Sequence, residues 1–217
     1  MKKMKKVLKE EYPLLLTYGC SAHYLNLVEK HVTPNFLAHL IEVNKYFQNH
    51  HQPRGWLLDD RNGVMPQLPN DTQWNSQVDC LKTYIKNYNH YLDIIEKHEG
   101  DIKHNIKKII DNAGIFREAK NLLIHLEKCE IALDKLQSDS TSLSDACEVW
   151  LSLLKDEDLK PYYMAIKLKF DEAMEPFHFL ANLTDIKYQG MTPKSNPKIE
   201  RTNLKLLILT HTTYIRH

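Results

Sequence analysis

Cys20 and His23 stand one helical turn apart, the first place where this chain of 217 residues could do chemistry. A thiolate beside an imidazole is either half of a zinc site or a nucleophile with its base. Both need further residues. A structural zinc site takes four ligands, and the other histidines form no second pair at finger spacing, the adjacent His50 and His51 coming nearest. Cysteine is among the most buried residue types, so the sequence assigns this pair a buried structural role. The carboxylate clusters Asp59-Asp60 and Asp156-Glu157-Asp158 are contiguous, and contiguous residues do not face each other as an acid and a base must. They read as solvated and helix-start charges. No glycine-rich phosphate loop, GxSxG elbow or HExxH pair occurs, and six glycines leave little material for the first two. The expectation is a protein that is not an enzyme, with no metal, no cofactor and no small-molecule substrate.

Charge bounds the partners. The 29 basic residues nearly cancel the 28 acidic ones, so no global field draws in nucleic acid. The one basic concentration is Lys2, Lys3, Lys5, Lys6 and Lys9, which on a helix could follow phosphates or an acidic partner. A solvated helix end is the commoner behaviour of such a run. Four dispersed cysteines without a CxxC pair indicate a reducing compartment, not a disulfide framework. No signal-peptide core follows the lysines, and the late apolar run at 206–209 is too short to cross a bilayer. An intracellular protein without a membrane partner is expected.

The elements that must position these residues read as helices. Residues 2–11 favour helix until Pro13, residues 14–18 are a short extended run that could form one strand, and Gly19 turns the chain into a helix from Ser21. Thr33-Pro34 reads as an N-cap with proline at the first helical position. Periodicity disappears over 50–70, where Pro53, Gly55, Pro66 and Pro69 indicate a loop. Trp74, Val78, Leu81, Ile85, Tyr88, Leu92 and Ile95 then place seven apolar groups on one helical stripe, and Trp74 is read as core within it. Ile115, Phe116, Ala119, Leu122, Leu123, Leu126, Leu133 and Leu136 mark another long helix. Ser142 and Asp145 have the spacing of a capping box ahead of Trp150, and Pro176 should divide the last helical pair. The tail at 204–213 is β-prone.

In this order along the chain, several short patches resemble hAT-superfamily DNA transposases. They are Tyr12-Pro13 followed by Gly19-Cys20-Ser21-Ala22-His23-Tyr24-Leu25-Asn26-Leu27, then Trp74-Asn75-Ser76. Next come Ala132-Leu133-Asp134-Lys135-Leu136-Gln137-Ser138-Asp139 leading to Trp150. Last are Pro176-Phe177-His178-Phe179-Leu180-Ala181-Asn182-Leu183 leading to Tyr188-Gln189-Gly190. The resemblance implies a ribonuclease-H-like core interrupted by a helical insertion, with three carboxylates holding two divalent metals for strand transfer. It also implies that those carboxylates lie outside this chain: the aspartates upstream of the Cys-x-x-His patch, the glutamate beyond the insertion. The family tryptophan beside the DNA usually follows an arginine. Gln73 stands here, which weakens any phosphate contact near Trp74.

The expected fold is therefore mainly α: the helical insertion region of such a transposase with at most one or two residual strands of its core. Residues 1–33 are expected to be the core remnant, 34–190 the insertion-like domain with its loop at 50–70, and 191–217 a linker and divergent tail. Cys20, His23, Trp74, Asn75 and Trp150 are its structural motif residues. The expected function is a non-catalytic protein-interaction or oligomerisation module, nuclear in location, binding a protein partner or itself. The alternative is a residual DNA binder using Lys2, Lys3, Lys5, Lys6 and Trp74.

Overall fold

A computed structural model describes residues 7, 8, 10–12, 17–59, 62–70 and 74–188. The described residues are mainly α-helical and contain no strand. In chain order the helices are α1 (Ser21–Val32), α2 (Leu37–Asn49), α3 (His51–Asp59), α4 (Trp74–Lys97), α5 (His104–Ile110), α6 (Ala113–Gln137), α7 (Leu143–Lys155), α8 (Tyr163–Ala173) and α9 (Pro176–Thr184). Short 3-10 turns at Lys160–Tyr162 and Ile186–Tyr188 precede α8 and follow α9. Most of the extended run at 14–18, the residues from 191 onward and Lys2, Lys3, Lys5 and Lys6 lie outside the described residues. No described helix is long and apolar enough to cross a membrane.

The chain divides into two compact units. One joins Met1–Val28 to Leu133–His217, and the other is Glu29–Ala132. These units change at 28/29 and 132/133, the second inside the span 34–190 expected as one domain; the expected boundary at 190/191 lies outside the described residues. The segment bearing Cys20 and His23 belongs with α7, α8 and α9, and the interrupting body ends inside α6, at a point where the helical period does not change.

In the interrupting unit, α2 packs on α3, α4 and α5, and α4 also packs on α3 and α5. Its core is aromatic: Phe47 stacks on Tyr91 with centroids 4.3 Å apart, and Tyr88 stacks on Phe116 at 3.8 Å. The apolar stripe expected on α4 forms one edge of a wider buried face. Val78, Leu81, Tyr88 and Ile95 are buried as expected, but Tyr84, Asn87 and Tyr91 are buried with them.

Two expectations about local structure are corrected. Residues 51–59 form α3 and not a loop, because Pro53 falls in the first turn, where its missing N–H has no helical acceptor to lose. Leu57 is buried, and the Trp56 ring stacks on His98 at 3.8 Å, which ties the helix down despite Gly55. Thr33-Pro34 does not cap α2, which begins at Leu37. The amides of Leu37, Ala38 and His39 donate instead to the carbonyls of Pro34, Asn35 and Phe36 in a tight turn, so no side-chain acceptor is required.

Residues 63–70 have no regular secondary structure and are held by side chains. Asn87 accepts from the Val64 N–H at 3.0 Å and donates to the Val64 carbonyl at 2.8 Å. Gln48 donates to the Pro66 carbonyl (3.1 Å), the Gln67 N–H donates to the Thr83 hydroxyl (3.0 Å), and Asn44 donates to the Gln67 carbonyl (3.0 Å). Tyr91 links the two asparagines, donating to Asn44 Oδ1 at 3.2 Å and accepting from Asn87 Nδ2 at 3.3 Å.

Asn87→Ala should strip both partners from the Val64 peptide groups and destabilise the unit by about 2 kcal/mol. Denaturant titration gives the size of the loss, and hydrogen exchange should show Val64 losing protection ahead of α4; an unchanged Val64 amide would contradict the clamp.

Candidate functional site

The other unit holds an open groove lined by both basic and acidic side chains. The turn between α6 and α7 presents Ser138, Ser140 and Thr141, and Ser142 caps α7: its hydroxyl accepts from the Asp145 N–H, while the Asp145 carboxylate accepts from the Ser142 N–H at 3.1 Å. Both halves of the expected capping box are present. Lys187 and Tyr188, from the 3-10 turn after α9, reach the same carboxylate. Lys187 Nζ lies 2.6 Å and the Tyr188 hydroxyl 2.5 Å from Oδ1, with the Ser142 hydroxyl 2.7 Å from Oδ2. Around this cluster is an open cavity of about 520 Å³ lined by Lys135, Ser140, Asp145, Glu148, Ser152 and Lys187 among others.

The electrostatics follow from those bonds. The Lys187 ammonium, then the Tyr188 and Ser142 hydroxyls, hold the Asp145 carboxyl well below the usual carboxylate range. The same contact raises the Lys187 ammonium above its ordinary value. With four donors on its two oxygens, Asp145 is committed to locking the last turn onto α7 and is a poor proton acceptor. Asp185 continues the lock, accepting from the Ser144 hydroxyl and from the Lys187 N–H. Asn182, fully buried on α9, donates to Glu148 at 2.9 Å.

Beneath the groove lies the core of this unit. Trp150 is fully buried, with Phe170 edge-on at 6.4 Å and Phe179 following at 6.0 Å from Phe170. The Trp150 indole N–H has no partner among the described residues. Pro176 opens α9 in place of continuing α8, as its missing N–H requires. His178, two residues on, accepts from the Glu175 N–H at its Nδ1 (3.1 Å), which puts its proton on Nε2. Nε2 is buried without a partner among the described residues, and burial lowers the affinity of the ring for a second proton. The Tyr18 ring meets it edge-on at 5.4 Å.

The motif residues are only partly brought together. Cys20, His23 and Trp150 belong to this unit, but Cys20 and His23 are exposed, which corrects the buried role expected for them. The reason is local. Tyr24 closes over Gly19 so tightly that any Cβ there would meet the ring, and the buried side of α1 is taken by Ala22, Leu25 and Val28. Trp74 and Asn75 open α4 in the other unit; Asn75 Oδ1 is buried and unpartnered among the described residues, and the Trp74 side chain lies outside them. Of the remaining cysteines, Cys80, Cys129 and Cys147 are buried, and burial pushes the Cys80 thiol to about 11 and the Cys147 thiol to about 12. No group of three metal-ligating side chains gathers among the described residues.

Compared with protein-family models, curated proteins and solved structures, the chain has no match. The residues that matter most here, Lys187 and Tyr188, were not singled out by sequence as a site. Their signal would have been a long-range pairing with Asp145, which no spacing rule reveals.

Two steps in stability with pH are expected. Because folding depresses the Asp145 carboxyl, its stabilisation is complete above the unfolded value near 3.8 and fades as pH falls below it; Asp145→Asn should melt lower than the parent at pH 7, and the gap should narrow steadily as pH falls below 3.8. Folding also depresses His178, so its contribution is complete above about 6.5 and is lost as pH falls from there toward its lower folded value. His178→Asn keeps an acceptor near Nδ1 and should erase that upper step in thermal melts, leaving the acid step in place.

Proposed function

We propose that this chain is a non-catalytic, transposase-derived protein of the hAT type whose helical units serve protein interaction or self-association, with the nucleus as its location. The observation that carries the reading is the discontinuous unit, Met1–Val28 with Leu133–His217, interrupted by a body that is mainly helical among the described residues. A host fold split by a helical insertion is the arrangement that the ordered sequence patches imply. The patch around Cys20 falls in the split unit, as the core remnant would; those around Trp150 and Pro176 fall there too, although the resemblance puts them in the insertion.

The chemistry of the groove supports a structural role. Asp145 is saturated by donors, Glu148 is engaged by Asn182, and neither stands beside an activated nucleophile. Trp150 and His178 serve the core in which they are buried.

The test is incubation of the full chain with supercoiled and short duplex DNA in magnesium or manganese, and separately a binding titration at low and high salt. We expect no cleavage and no saturable shift. Cleavage that a carboxylate substitution removes would refute the non-catalytic reading. A shift that collapses steeply with salt and disappears when Lys2, Lys3, Lys5 and Lys6 are replaced by alanine would install the DNA-binding alternative, since phosphate contacts impose that dependence.

A further inference from the structure

The capping box of α9 is reciprocal: the Glu175 side chain accepts from the His178 N–H, and His178 Nδ1 accepts from the Glu175 N–H at 3.1 Å. A neutral imidazole has one acceptor nitrogen, and here a main-chain donor occupies it. An imidazolium has none. A second proton on His178 sets N–H against N–H at Nδ1, while the Nε2 proton already lacks a partner among the described residues. The side chain is fully buried, so no water replaces what is lost. The charged ring and the closed box therefore exclude each other.

The same ring seats a segment distant in sequence. Tyr18 meets His178 edge-on at 5.4 Å and Phe177 at 5.6 Å, both in the first turn of α9. Tyr18 is 49% exposed, so this seat can be vacated without opening the core. The charged and titratable groups around His178 offer the imidazolium no substitute partner inside. Burial disfavours the charged ring, and the Glu175 carboxylate on the same cap favours it. On α7, Glu148 is held by Asn182 one turn further along α9, Asp145 is held by Lys187 and Tyr188 of the following 3-10 turn, and Cys147 is a sealed thiol. α8 meets α9 through Phe170 against Phe179, and the N-terminal segment brings the Tyr18 ring.

We propose that His178 is an acid-operated clasp: on protonation its side chain leaves the socket, the first turn of α9 loses its cap and Tyr18 is released, while the core around Trp150 stays packed. The opening is local and joins the two stretches of the split unit to one titrating group. In solvent the freed imidazolium can pair with Glu175, which makes the released state the stable one for the charged form.

The test is nuclear magnetic resonance of the full chain from pH 8 down to 4.5, above the range in which Asp145 titrates. As His178 takes up its proton, below the ordinary 6.5, the Tyr18–Phe177 ring contact should be lost and the Glu175 amide should exchange faster, while the Trp150 indole N–H keeps its protection. His178→Asn, which supplies an acceptor to the Glu175 N–H and does not titrate, should keep Tyr18 seated throughout. Tyr18→Ala, at a half-exposed position, should move the His178 titration upward toward 6.5, because a proton that releases Tyr18 binds more easily where Tyr18 is already gone.

A Tyr18–Phe177 contact that survives protonation of His178 overturns the clasp, as does release of Tyr18 at the same pH in His178→Asn. A His178 titration indifferent to Tyr18→Ala overturns it as well, and that variant decides the matter even where His178→Asn fails to fold. Loss of Trp150 protection in the same step also overturns it, since the event is then unfolding of the whole unit.

Discussion

Main chain that packs against helices without joining one must find partners for its N–H and C=O groups, and residues 64–67, of which only Pro66 is buried, have no strand to supply them. The interrupting unit is built around that demand. Asn44, Gln48, Thr83 and Asn87, projecting from α2 and α4, meet the segment group by group, and Tyr91 holds the two asparagines in register. Because those side chains must all point to one seam, α2 and α4 are fixed in their relative rotation. The stacked Phe47 and Tyr91 rings then fill the space between them. A polar network fully satisfied in this way confers a unique arrangement that an all-apolar seam would not.

That seam also marks the limit of what the sequence could disclose. The α4 stripe was legible because apolar residues three and four apart must share a face. Asn87 was not, since a buried asparagine is understood only from the backbone placed opposite it, and Tyr84 and Tyr91 fall between the stripe positions. The Ser142–Asp145 box was legible because capping is local, within one turn of helix. Its continuation to Lys187 and Tyr188 was not, because the partners lie more than forty residues apart and only folding brings them together. Proline and glycine concealed α3: the usual rule against them holds in a helix interior and fails in the first turn.

The two units share a strategy. Each commits its charged or amide side chains to holding a turn or an extended segment, and each leaves its aromatic residues to fill the core. The donors that could have made Asp145 a reactive group neutralise it, and the acceptor that could have made His178 a base is used by the Glu175 amide.

The distribution of thiols gives the molecule a built-in stopwatch. Cys20 is open to solvent, so an alkylating reagent should find it at once, while Cys80 and Cys147 are sealed and held as thiols by burial. These two lie in different units. Each becomes modifiable only when its own unit opens, so the rates at which they are capped under native conditions clock the breathing of the two bodies separately.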